Sequence, residues 1–133
     1  MPRTKDMHDA TVAPRHEHTH SQNRYAVIPT PEKLDADPRY SGRGVTIAFL
    51  DSGFYPHTDI ADRIVAFHDV TGTETSLYDI GEPEGHHWHG TQTVVSCAGD
   101  GSLSDGIYRG LASSANLVLV KVSDNGRIAD ESI

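Results

Sequence analysis

Gly44 to Asp59, GVTIAFLDSGFYPHTD, is the stretch whose reading decides the fold. From Val45 the residues are apolar or β-branched until a carboxylate arrives at Asp51. Ser52 and Gly53 follow at once and let the backbone turn sharply. The pattern predicts an apolar strand that ends by presenting an acid. Open α/β sheets keep their chemistry at that end, because loops leaving the carboxyl ends of parallel strands diverge and leave a crevice.

Working outward, Asn116 to Val122 (NLVLVKV) is a continuous apolar run broken only by Lys121, as a buried parallel strand should be. Arg63 to Val70 (RIVAFHDV) predicts a further short strand, and Thr71 to Gly85 a surface loop, polar and punctuated by Gly72, Gly81, Pro83 and Gly85. The loop runs into His86, His87, Trp88, His89, Gly90 and Thr91. Beyond it, Thr91, Thr93, Val94 and Val95 have strand propensity, while Ser96, Cys97, Ala98 and Gly99 suit a close-packed helix, and periodicity leaves both open. Upstream, Thr30, Pro31 and Glu32 read as N-cap, first helical position and acidic first turn of a brief helix that Pro38 should end. Arg127 to Ile133 reads as the start of another helix, with Asp130 and Glu131 in its opening turn.

The 133 residues suit one modest domain with a single core. A net charge of −8 argues against non-specific attraction to nucleic acid or to an anionic membrane surface. No stretch approaches the ~20 apolar residues of a membrane helix, and the amino terminus lacks the apolar run of a signal peptide. Cys97 is the one cysteine, so no intrachain disulfide forms; it reads as a small buried hydrophobe. Residues 1–40 read as a polar leader and linker, disordered at its start from Met1 to Asn23. There His16, His18 and His20 alternate, a spacing chemically capable of weak metal capture, although nothing nearby would fix its geometry.

Two chemistries compete for the remaining signals. His86, His87 and His89, with His57 and His68 upstream, suggest a metal-dependent hydrolase with Asp51 as bridging carboxylate. Against it, no HExxH or paired-carboxylate spacing is present, and three histidines within four residues cannot all turn onto one metal without strain. The order of motifs fits better. An apolar strand ends in Asp51-Ser52-Gly53; His57, Thr58, Asp59 and Ile60 follow; His89-Gly90-Thr91 comes next; then Gly110, Leu111, Ala112 and Ser113 precede a strand ending in Lys121-Val122. This resembles the amino-terminal half of the subtilisin-like serine peptidases, the subtilases, over residues 41–133.

The resemblance implies an α/β fold, an incomplete doubly wound parallel sheet, and a helix opening at His89 in spite of its β-branched residues. It implies that Asp51 and His89 are catalytic. Asp51 would hold the imidazole tautomer, and His89 would be the general base toward a serine hydroxyl, with peptides or proteins as substrates. Gln92 and Thr58 depart from the family pattern at peripheral positions, and Trp88 adds bulk on the substrate side. Asp59 matches a position that ligates calcium in some members; the loop Asp100 to Gly106 does not reproduce their other ligands, so calcium stands beside a plain solvated loop.

No Gly-Thr-Ser nucleophile block occurs in the sequence, and Ser52 belongs to the turn after Asp51. The expectation is a serine endopeptidase fragment, inactive alone, whose nucleophile lies in a missing carboxy-terminal half. The alternative is a non-catalytic half-domain that binds or regulates a partner. The leader is too short and polar for both a signal peptide and a pro-domain, which points to a cytoplasmic form or to a start placed elsewhere. A second expectation concerns Tyr25 to Pro29, either an inhibitory segment across the cleft or an edge segment packed on the sheet.

Overall fold

The computed structural model describes residues 27–72, 76–80, 83, 85–123 and 127–128. Its main elements run in the order α1 (Thr30–Lys33), β1 (Thr46–Asp51), α2 (Thr58–Ala61), β2 (Ile64–Asp69), α3 (His87–Ala98) and β3 (Asn116–Lys121). Among the described residues the three strands form one parallel sheet in the order β1-β3-β2, so the third strand in sequence lies between the first two. All three strands were expected, each within a residue of its observed ends.

Parallel register puts partner side chains on one face. Ile47, Leu117 and Ile64 form one row; Phe49, Leu119 and Phe67 the next; Asp51, Lys121 and Asp69 the last, at the carboxyl ends. The apolar rows pack on α2 and α3 around a core of Phe54, Ile60, Leu77, Val94, Ala98, Leu117 and Leu119. On the opposite face Ala48 and Leu50 are exposed and Val118 and Val120 only half-buried, so the described helices cover one side of the sheet.

α3 settles the conflict between propensity and helix. Gly90, Thr91, Val94 and Ala98 share its buried stripe at helical spacing. The threonines that favour strands are accommodated by bonding back along the helix: Thr91 Oγ1 donates to the His87 carbonyl at 2.7 Å, and Thr93 Oγ1 to the His89 carbonyl at 3.1 Å. Thr91 Oγ1 also accepts the Tyr55 N–H at 2.8 Å, tying the helix to the loop after β1.

Several expectations need correction. In α1 the N-cap is Pro29 rather than Thr30, and the helix stops at Lys33, well before Pro38, where Asp35 takes a left-handed φ of 49°. The segment 71–85 is more than a surface loop, because Leu77, in a short 3₁₀ turn Leu77–Asp79, is buried in the core. Val27 to Pro29 line a groove with Val95, Ser96, Tyr108 and Arg109 on α3 and beyond it, while Tyr25 and Ala26 of the same segment lie outside the described residues. The histidine-bearing leader lies outside the described residues; of the helix expected from Arg127 to Ile133, Arg127 and Ile128 are not helical and the rest lies outside them.

Arg63, at the entrance to β2, joins three segments. Its guanidinium donates to the carbonyls of Ala115 (3.0 Å), Asp59 (2.7 Å) and Ala98. A planar cation with five donors is suited to gathering carbonyls from α2, the end of α3 and the approach to β3. Arg63→Met keeps the stem and leaves three carbonyls without their donor. It is expected to lower the unfolding free energy of the full-length protein by about 3 kcal/mol or more, read by urea denaturation.

Candidate active site

The last row of the sheet carries its ionisable groups, Asp51, Lys121 and Asp69. Asp51 closes β1 at the point where the chain turns through Ser52 and Gly53, and α3 begins against that turn. Its second residue is Trp88 and its third is His89. Two glycines permit the approach. A Cβ on Gly90 would lie 2.2 Å from the Gly53 carbonyl oxygen and 3.0 Å from Asp51 Cβ; one on Gly53 would lie 2.8 Å from His87 Cδ2. The helix therefore rests its first turn directly on the backbone that carries the acid.

In consequence His89 Nδ1 stands 2.7 Å from Asp51 Oδ1. An ionised carboxylate only accepts, so Nδ1 carries the proton in this pair and Nε2, across the ring, is left as an acceptor. The same Oδ1 accepts the Ser52 N–H at 2.6 Å and its hydroxyl at 3.1 Å. Burial alone would raise the Asp51 carboxyl, but the Ser52 amide, the His89 ring, the Ser52 hydroxyl and the His89 charge together hold it below the ordinary aspartate value. The side chain of Asp51 is 14% exposed and that of His89 57%, so the acid is recessed and the imidazole open to an incoming group.

An open depression surrounds the pair, lined by Leu50, Trp88, Val122, Ser123 and Ile128. Trp88 meets the His89 ring edge-on, with centroids 5.5 Å apart at 73°, and limits where the imidazole can swing. The Val122 N–H donates to the Asp51 carbonyl at 2.9 Å, fixing the acid's backbone to the end of β3.

A folded-state pKa below the unfolded one means that the contribution of Asp51 to stability is fully present above the unfolded value, about 3.9. It is lost as pH falls through the lower folded value. Between about pH 2 and pH 5 the unfolding free energy of wild-type protein is therefore expected to fall more steeply than that of Asp51→Asn, as urea titrations at each pH would show.

Of the residues singled out in the sequence, Asp51 and His89 are brought together. His57 caps α2, its Nδ1 accepting the Asp59 N–H at 3.2 Å, and His68 sits at the end of β2. Among the described residues no group of three or more His, Cys, Asp or Glu side chains gathers as a metal site. Asp59 is 6% exposed, and its Oδ1 accepts the Leu103 N–H at 3.1 Å. Asp100 Oδ1 accepts the Ser102 N–H and hydroxyl, and Arg63 already holds the Asp59 carbonyl. In the described structure these side chains form a hydrogen-bonded loop closure between α2 and the segment after α3.

Reading the sequence alone named Gly90 and Lys121 only as motif positions and gave Asp69 no role. Lys121 Nζ lies 3.4 Å from Asp69 Oδ2, both side chains almost wholly buried beside Asp51. The lone lysine in the NLVLVKV run was the available signal.

A parallel sheet with an aspartate at the carboxyl end of its first strand, bonded to a histidine in the first turn of the following long helix, defines one class. The subtilase family model matches residues 42–133, and the chain belongs to that family. It is 41% identical over 93 residues to the serine protease AprX of Bacillus subtilis (strain 168), an alignment covering 68% of this chain and 20% of that protein. In fold it is similar to a protease of Pseudoalteromonas arctica, with a TM-score of 0.53 at 19% identity over 85% of this chain and 38% of that one. The chain thus spans about a fifth of the curated relative's length. Among the described residues no helix is long and apolar enough to cross a membrane.

Proposed function

We propose that these residues supply the aspartate and histidine of a serine endopeptidase site, with the nucleophilic serine contributed by sequence beyond Ile133. His89 Nε2 takes the proton from the serine hydroxyl as its oxygen attacks the scissile carbonyl. It returns that proton to the nitrogen of the departing amine. Asp51 keeps Nδ1 protonated and stabilises the imidazolium between the two transfers. A water then repeats the sequence on the acyl-enzyme. The observation that supports this most is the 2.7 Å contact from His89 Nδ1 to the recessed carboxylate, which leaves the other ring nitrogen on the open side.

The serines nearby are engaged or enclosed. Ser52 Oγ donates toward Asp51 and the His86 carbonyl, and Ser123 Oγ is buried. Residues 1–133 alone are accordingly proposed to be inactive, and peptides or proteins to be the substrates of the longer chain. The test is labelling of the full-length protein with a serine-directed fluorophosphonate. One serine beyond Ile133 should be labelled in wild type, and labelling should be lost in His89→Ala. A full-length protein that folds but neither labels nor cleaves denatured casein would instead favour a non-catalytic binding module.

A further inference from the structure

The charge next to Asp51 is unexplained by the proton transfers. Lys121 is its register partner across β1 and β3, and Asp69 is the register partner of Lys121 across β3 and β2. Neighbouring strands lie about 4.8 Å apart, so the three residues stand side by side in one row on the helix-facing side of the sheet, with the ammonium on the Asp69 carboxylate. Lys121 is 6% and Asp69 8% exposed, with Nζ and Oδ2 3.4 Å apart. Asp69 Oδ1 also accepts the Thr71 N–H at 2.8 Å and its hydroxyl at 2.6 Å. The backbone is interlocked at the same level: Val70 N–H donates to the Lys121 carbonyl, and Val122 N–H to that of Asp51.

Stability gives little reason for this arrangement. A buried ion pair loses in desolvation much of what it gains in attraction, and apolar residues of the same volume often do as well. The two rows beneath it are apolar right across the sheet. Charge enters only at the level where Asp51 meets His89.

We infer that Lys121 and Asp69 are positioning residues of the Asp51–His89 couple, a buried ion pair in the register row beside Asp51 that sets the field in which the imidazole gains and loses its proton. In the row His89, Asp51, Lys121, Asp69, each charge neighbours its opposite whenever the imidazole is protonated. Lys121 disfavours the imidazolium, and Asp69, one strand further off, offsets it. Among the described residues, His86 just before α3, His87 at its first position and Arg127, whose neighbour Ile128 lines the same depression, are further titratable groups near the couple.

The inference rests on Asp51 and His89 being the catalytic couple, and its test is the pH dependence of kcat/KM in the full-length enzyme. Lys121→Met leaves a net negative neighbour and should move the acid limb up by about half a pH unit or more; Asp69→Asn leaves a net positive one and should move it down. Lys121→Arg should restore the wild-type limb. Opposite shifts from two variants that break the same ion pair cannot come from lost packing. The exchanged pair, Lys121→Asp with Asp69→Lys, retains an ion pair but sets a carboxylate beside Asp51, and should move the limb up; it serves where the single variants do not accumulate folded. Limbs that stay at the wild-type position, or move the same way in both single variants, overturn the inference. Retained activity in His89→Ala would overturn the catalytic reading instead; inactive His89→Ala with unmoved limbs sinks only the charge row.

Discussion

Full-length protein carrying His89→Ala is expected to lose roughly 10⁴-fold or more in kcat, with KM nearly unchanged, and Asp51→Asn to lose about 10⁴-fold. The two losses have different origins. Without His89 nothing accepts the serine proton in the transition state. With asparagine at 51 the ring remains in place, but the side chain can donate to Nδ1. The proton then moves to Nε2, the nitrogen that should receive one. Because Asp51 Oδ1 also holds the Ser52 amide and hydroxyl, Asp51→Ala would disturb the turn as well, and Asp51→Asn is the cleaner variant. Steady-state kinetics on a chromogenic peptide, with active-site titration, measures both; a loss below tenfold for His89→Ala would remove the histidine from the mechanism.

Gly90→Ala should also be damaging, although residue 90 is not placed against substrate. The added methyl would meet the Gly53 carbonyl oxygen at 2.2 Å and Phe54 Cε1 at 2.8 Å, and neither can yield cheaply. Gly53 is backbone in the turn behind Asp51, and Phe54 is wholly buried in the core. Relief comes only by lifting the first turn of α3, which carries His89 away from Asp51. Even a displacement near 1 Å costs on the order of 10²-fold in rate, and overpacking costs about 1–3 kcal/mol of stability. Both should appear together, as a fall in kcat and in the urea midpoint. Unaltered kinetics with a lowered midpoint would mean that the helix relaxes without moving the histidine.

Much of this site was legible in the sequence because it is punctuated there. An apolar run that stops at Asp51, followed by Ser and Gly, marks a strand end. The spacing to His89-Gly90-Thr91 and to Lys121-Val122 carried the family resemblance and, through it, the helix that propensity obscured. What escaped is lateral. Nothing along the chain says that Asp51, Lys121 and Asp69 are level with one another, because that depends on the register of strands joined only in three dimensions. The role of Arg63 escaped for the same reason, since its acceptors at Asp59, Ala98 and Ala115 come from separate segments. Leu77 was read as loop because its polar neighbours outvoted one apolar side chain that happens to point inward. Asp59 was legible as a conspicuous acid, and its partner, a main-chain N–H at Leu103, was not.

The strand order β1-β3-β2 also sets a schedule. Thr46 pairs with Asn116, so the strand bearing Asp51 waits for about seventy residues before its neighbour exists. The closure of so long a loop is slow, and pairing of this kind dominates the folding time of parallel sheets. On a growing chain the acid and the histidine helix both emerge before β3, which fastens the Asp51 carbonyl through Val122. The acid and the histidine are thus synthesised early and aligned late, once the third strand has taken its place between the other two.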